Sequence, residues 1–140
     1  MKRILIICNT NSVLSQVAEV FLRHLTFNRV EVYSAAAIAP KNLHPLTAKV
    51  MKEQGIDISQ SRSKSVNEFY NDRFDFIITL QDEAREKCPI FQGSHTKIHK
   101  SLDDPGLVKG SDTQKLEVFR KSRDQIKDWV TDFIERYQLI

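Results

Sequence analysis

The stretch "ILIICNTNSVLSQVAEVFLRHL", residues 4–25, decides the fold. Ile4 to Ile7 form a continuous apolar run of the kind found in parallel strands that are buried on both faces. At the other end, Val17, Ala18, Phe21, Leu22 and Leu25 recur at helical spacing on one face. Between them "CNTNSVLS", residues 8–15, begins with a cysteine and ends in a serine. A strand, a tight loop starting with cysteine and a helix in that order are the layout of a site that holds an oxyanion against backbone N–H groups and attacks it with a thiolate.

Beyond residue 25, strand and helix alternate. "VEVYSAA" reads as a second strand and "LTAKVMKEQGI" as a helix stopped by Gly55. "FDFIITL" is a third strand, and "DEAREKCP" a short helix from Asp82 to the stop at Pro89. A fourth strand is expected around "KIHK", and a loop rich in Asp, Pro and Gly, "SLDDPGLVKGS", follows it. The last helix is expected from about Asp112 to Tyr137, with Leu116, Phe119, Ile126, Val130, Phe133 and Tyr137 on one buried face and Trp129 and Ile134 widening it. The polar "SQSRSKS", residues 59–65, reads as a mobile loop. The expected fold is α/β in three layers, a parallel sheet of four strands with helices on both faces, and the 140 residues form one domain, 1–140. In such sheets the site lies at the C-terminal strand ends. Cys8, Gln81 and the loop from Asp103 to Pro105 all fall there.

Composition narrows the partners. A net charge of +3, from 21 basic and 18 acidic residues scattered along the chain, contains no basic block for nucleic acid or a membrane surface, though it suits small anions. No apolar run reaches the roughly 18 residues of a membrane span, and "MKRILIIC" is too short for a signal peptide, so the expected location is cytoplasmic. Cys8 and Cys88 lie far apart without CxxC spacing, and His24, His44, His95 and His99 show no metal-ligand spacing with them. Reduced thiols are expected, with no metal and no cofactor.

The quoted segments together resemble the low-molecular-weight protein tyrosine phosphatase superfamily, closest to its thioredoxin-coupled arsenate reductases. The loop pattern there is C-x-x-N-x-C-R-S, and this chain matches it at Cys8, Asn11 and Ser15, with Ser12 completing the common N-S pair. "VYSA", "MKEQGIDIS", "CPIF", "DDP" and "LEVFRKSRDQIK" resemble the reductase branch in order and spacing, so the likeness spans essentially the whole chain. Three positions depart from it. Val13 stands where the second loop cysteine is common, Leu14 where the arginine is expected, and Gln81 where the reductases carry a middle cysteine.

The resemblance implies Cys8 as nucleophile, Asp104 as general acid and Cys88 as resolving thiol. It implies an oxyanion loop of Cys8, Asn9, Thr10, Asn11, Ser12, Val13, Leu14 and Ser15. The implied substrate is arsenate or a phosphate-like oxyanion, with thioredoxin or glutathione as reductant. A guanidinium holds two oxygens of a tetrahedral oxyanion at once, so its loss at Leu14 implies impaired or altered turnover; losing one oxyanion donor costs roughly 10²–10³ in rate. Arg62 and Lys64 are the candidate substitute cations. Asn11, Glu19 and Ser34 resemble residues that surround a monovalent cation in some reductases, with Lys64 at a carboxylate position. Each group also has a plainer reading: Cys8 as a small buried hydrophobe, Ser15 as a helix cap, Asp104 as a turn residue, Cys88 as a helix-end residue. The alternatives to a reductase are a phosphatase of low activity and an inactive member that binds an anion or a protein partner.

Overall fold

The computed structural model describes residues 1–140. Four parallel strands, β1 (Arg3–Cys8), β2 (Glu31–Ala36), β3 (Phe76–Thr79) and β4 (Thr96–His99), form one sheet in the order β2-β1-β3-β4. Four α-helices connect and follow them: α1 (Leu14–Leu25), α2 (Pro45–Lys52), α3 (Asp82–Lys87) and α4 (Asp112–Arg136). Short 3-10 turns lie at Val66–Phe69 and Pro105–Leu107.

β1 is central and buried on both faces, and its alternation divides the core. Ile4, Ile6 and Cys8 point into a large cluster with α1 and α4. Leu5 and Ile7 point the other way, into a smaller cluster with Phe69, Phe74, Ala84 of α3 and Phe91. The period-two geometry of a strand thus gives the three layers anticipated from the apolar run.

On the larger face, α4 packs along α1 and α2. Its start is fixed by a capping box, in which the Gln114 N–H donates to Ser111 Oγ at 3.2 Å and the Ser111 N–H donates to Gln114 Oε1 at 2.8 Å. The aromatic end of its buried stripe meets β3, where the Phe76 ring lies 5.3 Å from Phe133 and 4.9 Å from Tyr137. Near the other end, Arg120 and Arg123 both donate to the Glu53 carboxylate at the end of α2, at 2.7 and 2.8 Å.

Several boundaries differ from the sequence reading. The helix expected over residues 46–56 ends at Lys52, and Gly55 at φ +77° forms the turn beyond it. Ser15 does not cap α1: Val13 holds the cap position without a side-chain bond, and Ser15 lies inside the first turn, fully buried. The helix α3 starts at Asp82 as expected but ends at Lys87, two residues before Pro89. The polar stretch at 59–65 does not run free of the body. Its second half lies against the 8–15 loop, and Ser65 bridges to Ala36 beside β2.

Candidate active site

The 8–15 loop is suspended by its carbonyls. The C=O of Cys8 accepts from the N–H of Ala37 at 2.9 Å, that of Asn9 from Ile38 at 3.1 Å, and that of Thr10 from Lys41 at 3.0 Å. The Asn11 carbonyl accepts from Ser63 Oγ at 2.9 Å, and the Ser12 carbonyl from the His44 N–H at 3.2 Å and Thr47 Oγ1 at 3.1 Å. Five successive carbonyls held from outside turn the amides of the bend inward. The N–H groups of Thr10, Asn11 and Ser15 are directed at the Cys8 sulfur, and Ser15 Oγ lies 2.9 Å from it. A run of convergent N–H groups at a helix start is an anion nest.

Asn11 holds the bend. Its φ of +54° is a left-handed conformation that asparagine tolerates better than most residues. The side chain is fully buried and used in full: Nδ2 donates to Ser15 Oγ at 2.7 Å and Ser34 Oγ at 2.9 Å, while Oδ1 accepts from Gln16 Nε2 at 3.2 Å and the Lys64 N–H at 2.9 Å. Ser34 Oγ in turn donates to Glu19 Oε1 at 2.7 Å, and Arg23 pairs with the same carboxylate at 2.9 Å. A continuous chain of polar groups therefore runs from Cys8 to the Glu19 carboxylate behind it.

Two effects compete at Cys8: a helix start favours the thiolate, and the dry surroundings where Leu14 replaces a cation favour the thiol. Burial pushes the Cys8 thiol above its ordinary value, outweighing the Ser15 hydroxyl and the N–H groups of Ser15, Asn11 and Thr10, which pull it down. Cys8 is only 2% exposed, and no cation offsets the loss of water. Leu14, in the position where the arginine was expected, is 1% exposed and belongs to the larger core cluster. It is a packing residue.

Neither candidate substitute cation has its head group on the loop. Arg62 pairs with Glu68 at 3.0 Å in solvent, and its own carbonyl accepts from Gln16 and from Lys64 Nζ. Lys64 Nζ lies 4.0 Å from Glu19 Oε1, so the ammonium faces the carboxylate of the polar chain. No group of three or more His, Cys, Asp or Glu side chains is arranged to hold a metal ion.

Asp104 is half-buried and accepts from the Gly106 N–H at 2.8 Å, which caps the turn at Pro105–Leu107. His44 sits between this turn and the loop. Its N–H donates to the Ser12 carbonyl, its Nδ1 accepts from the Leu46 N–H at 3.1 Å and so caps α2, and its ring lies tilted against Phe119 with centroids 4.7 Å apart. Burial pushes His44 down, with Asp104 opposing. Sequence reading passed over His44, because a histidine before a proline carries no spacing signal. It also passed over Gln81 as a loop partner: Gln81 Oε1 accepts from the Asn9 N–H at 2.8 Å and so ties α3 to the loop.

The two thiols are not brought together. Cys8 belongs to the cluster on the α1 and α4 face, and Cys88 packs against the cluster on the α3 face, with the sheet between them. Both are free.

Comparison with known proteins agrees with this architecture. A family model described as low molecular weight phosphotyrosine protein phosphatase matches residues 3–139. An arsenate reductase of Shouchella clausii is 36% identical over 134 residues, covering 96% of both chains. A solved structure, "An arsenate reductase in oxidized state", superposes with a TM-score of 0.81 at 30% identity, covering 97% of this chain and 98% of the other. A thioredoxin-dependent arsenate reductase of Corynebacterium glutamicum superposes with a TM-score of 0.73 at 25% identity, covering 99% of this chain and 63% of the other. With a family model over residues 3–139 and arsenate reductases similar to it over nearly its whole length, the chain belongs to the low molecular weight phosphotyrosine protein phosphatase family, on the side of its arsenate reductases.

Proposed function

We propose that this protein is an arsenate-reductase-like thiol enzyme of low turnover, acting at Cys8 on arsenate or a related tetrahedral oxyanion. The observation that carries the reading is the suspended loop, whose amides converge on Cys8 Sγ while Ser15 Oγ lies 2.9 Å away. The Cys8 thiolate attacks arsenic(V), and an arsenate oxygen leaves as water, with Asp104 the candidate donor of the proton. A second thiol then attacks Cys8 Sγ. The S–As electron pair stays on arsenic, which departs as arsenite, and Cys8 is left in a disulfide with the second thiol. Cys88 is separated from Cys8 by the sheet and Gln81 carries no sulfur, so the second thiol comes from a reductant such as thioredoxin or glutathione.

Low turnover follows from two features. No guanidinium meets the charge that spreads over the oxyanion in the transition state, and burial raises the Cys8 thiol above its ordinary value and so disfavours the attacking thiolate. The same features favour a second reading, a retained scaffold that binds an anion or a protein partner without turnover. A third, phosphatase activity of low rate, needs the missing cation at least as much.

Arsenite formation, measured with a thioredoxin system or glutathione on wild type, Cys8→Ser and Leu14→Arg, separates these. The reductase reading expects slow turnover in wild type that vanishes in Cys8→Ser and rises in Leu14→Arg. Absence of turnover in wild type with either reductant overturns it in favour of the scaffold. Hydrolysis of p-nitrophenyl phosphate without arsenite formation supports the phosphatase.

A further inference from the structure

The amide of Asn9 follows Cys8 directly in the chain, and its acceptor is the side chain of Gln81, with Oε1 2.8 Å from the nitrogen. That bond fixes which way round the Gln81 carboxamide stands. A backbone N–H must face the carbonyl oxygen, so the other arm of the group is the NH2, a donor only. The carboxamide is planar, which puts Nε2 about 2.3 Å from Oε1 and within about 5 Å of the Asn9 nitrogen.

This NH2 is free. Asn11 Nδ2 and Gln16 Nε2, the other carboxamide donors around the loop, each meet two acceptors. Gln81 Nε2 forms no hydrogen bond inside the protein, and it is not among the buried polar atoms that lack a partner, so it reaches solvent beside the loop. Its stem is held on both sides. The Leu80 N–H donates to the Ile7 carbonyl at 2.9 Å, and the Gln81 carbonyl accepts from the Arg85 N–H at 3.0 Å. A donor on such a support is in place before a ligand arrives. The loop itself supplies amides but no side-chain cation: Leu14 is packed in the core, and the head groups of Arg62 and Lys64 face Glu68 and Glu19.

We propose that Gln81 Nε2 binds the oxyanion, donating to one of its oxygens from the α3 side of the loop while Oε1 stays on the Asn9 N–H. Gln81 then acts as more than the tie between α3 and the loop: it is a binding residue that touches the substrate. It offers a neutral donor at one point, where a guanidinium offers charge at two, so it holds the anion without restoring a fast rate. The inference rests on the reading of residues 8–15 as an oxyanion nest.

Calorimetric titration of wild type, Gln81→Met and Gln81→Glu with inorganic phosphate tests it, together with NMR spectra of isotope-labelled wild type in which the Gln81 NH2 pair is recognised by its absence from the variants. Gln81→Met is expected to bind about tenfold more weakly or worse, the loss of one hydrogen bond to a charged group. Gln81→Glu keeps an oxygen for the Asn9 N–H, and with it the tie to α3, but sets a like charge where the donor was. It is expected to bind more weakly still at about pH 7 and to recover toward wild type near about pH 5, where the carboxyl beside the anion takes up a proton and donates again. In wild type the NH2 pair is expected to shift downfield with the midpoint of the calorimetric titration. Binding by Gln81→Met as tight as wild type, or tighter because the carboxamide had blocked the nest, overturns the proposal. So does wild-type affinity in Gln81→Glu, which would leave Gln81 as a tie alone, and so does an NH2 pair unmoved while phosphate binds wild type. The oxyanion reading survives all three of these results, whereas a wild type that binds no phosphate overturns both. If Gln81→Met fails to fold, Gln81→Glu and the NH2 shift of wild type decide.

Discussion

Cys8 is pulled in two directions, by donors that want a thiolate and by a dry environment that wants a thiol. Because its pKa is raised, the reactive form is scarce at neutral pH and grows as pH rises toward the raised value. Alkylation of Cys8 by iodoacetamide is therefore expected to have its midpoint above that of a free thiol, and Ser15→Ala, which removes the hydroxyl at 2.9 Å, to move it further up. A midpoint at or below the free-thiol value would show that the loop amides prevail over burial. The neighbouring Leu14 yields a second expectation. A guanidinium placed where Leu14 is buried lacks a partner and destabilises the chain by about 3–5 kcal/mol, unless an oxyanion draws it into the nest. Melting of Leu14→Arg is thus expected to fall without ligand and to recover with arsenate or phosphate by more than wild type gains. That Leu14 departs from the loop pattern was legible in the sequence. That it packs in the core was not, since the residue stands at the junction of loop and helix and the path of one turn decides which way it points.

At the scale of elements, α2 is held to α4 by Glu53. Hydrogen bonds from Arg120 and then Arg123 lower the Glu53 pKa to about 2. A depressed carboxylate contributes stability that is present above its unfolded pKa and lost as pH falls toward the folded value. Urea unfolding of wild type is therefore expected to weaken between about pH 4.5 and pH 2, and Glu53→Gln to be less stable at pH 6 while losing part of that acid dependence. Equal acid profiles in the two proteins would assign the dependence to other carboxylates. The helix α4 itself was readable to within a residue at its C-terminus, because a long amphipathic stripe repeats its signal many times. The partners of the loop were not. Gln81, His44 and Ser63 reach it by hydrogen bonds across the fold, and such contacts leave no periodic trace in a sequence.

For the molecule as a whole, the sheet keeps the two thiols apart. Oxidation of the native protein with diamide is expected to leave Cys8 and Cys88 unjoined, whereas the same treatment in urea joins them. An intramolecular disulfide formed at once in the folded state would mean that α3 unwinds readily enough to carry Cys88 around the sheet edge. The overall arrangement of strands and helices was legible because the apolar run Ile4 to Ile7 is of the kind buried parallel strands carry, and strand and helix signals alternate after it. The assignment of the two cysteines to opposite faces came only with the structure, which put Cys88 beyond the end of α3 against Phe91 and its neighbours.

The alternation of β1 has a further consequence for inheritance. Ile4 and Ile6 face one cluster, Leu5 and Ile7 the other, so a substitution on one side meets few atoms of the other side. Paired substitutions such as Phe133→Leu with Phe91→Leu are expected to add within about 0.5 kcal/mol, as distant sites do. A lineage carrying this fold is thus free to change the apolar packing on one face of the sheet by drift while the packing on the other stays as it is.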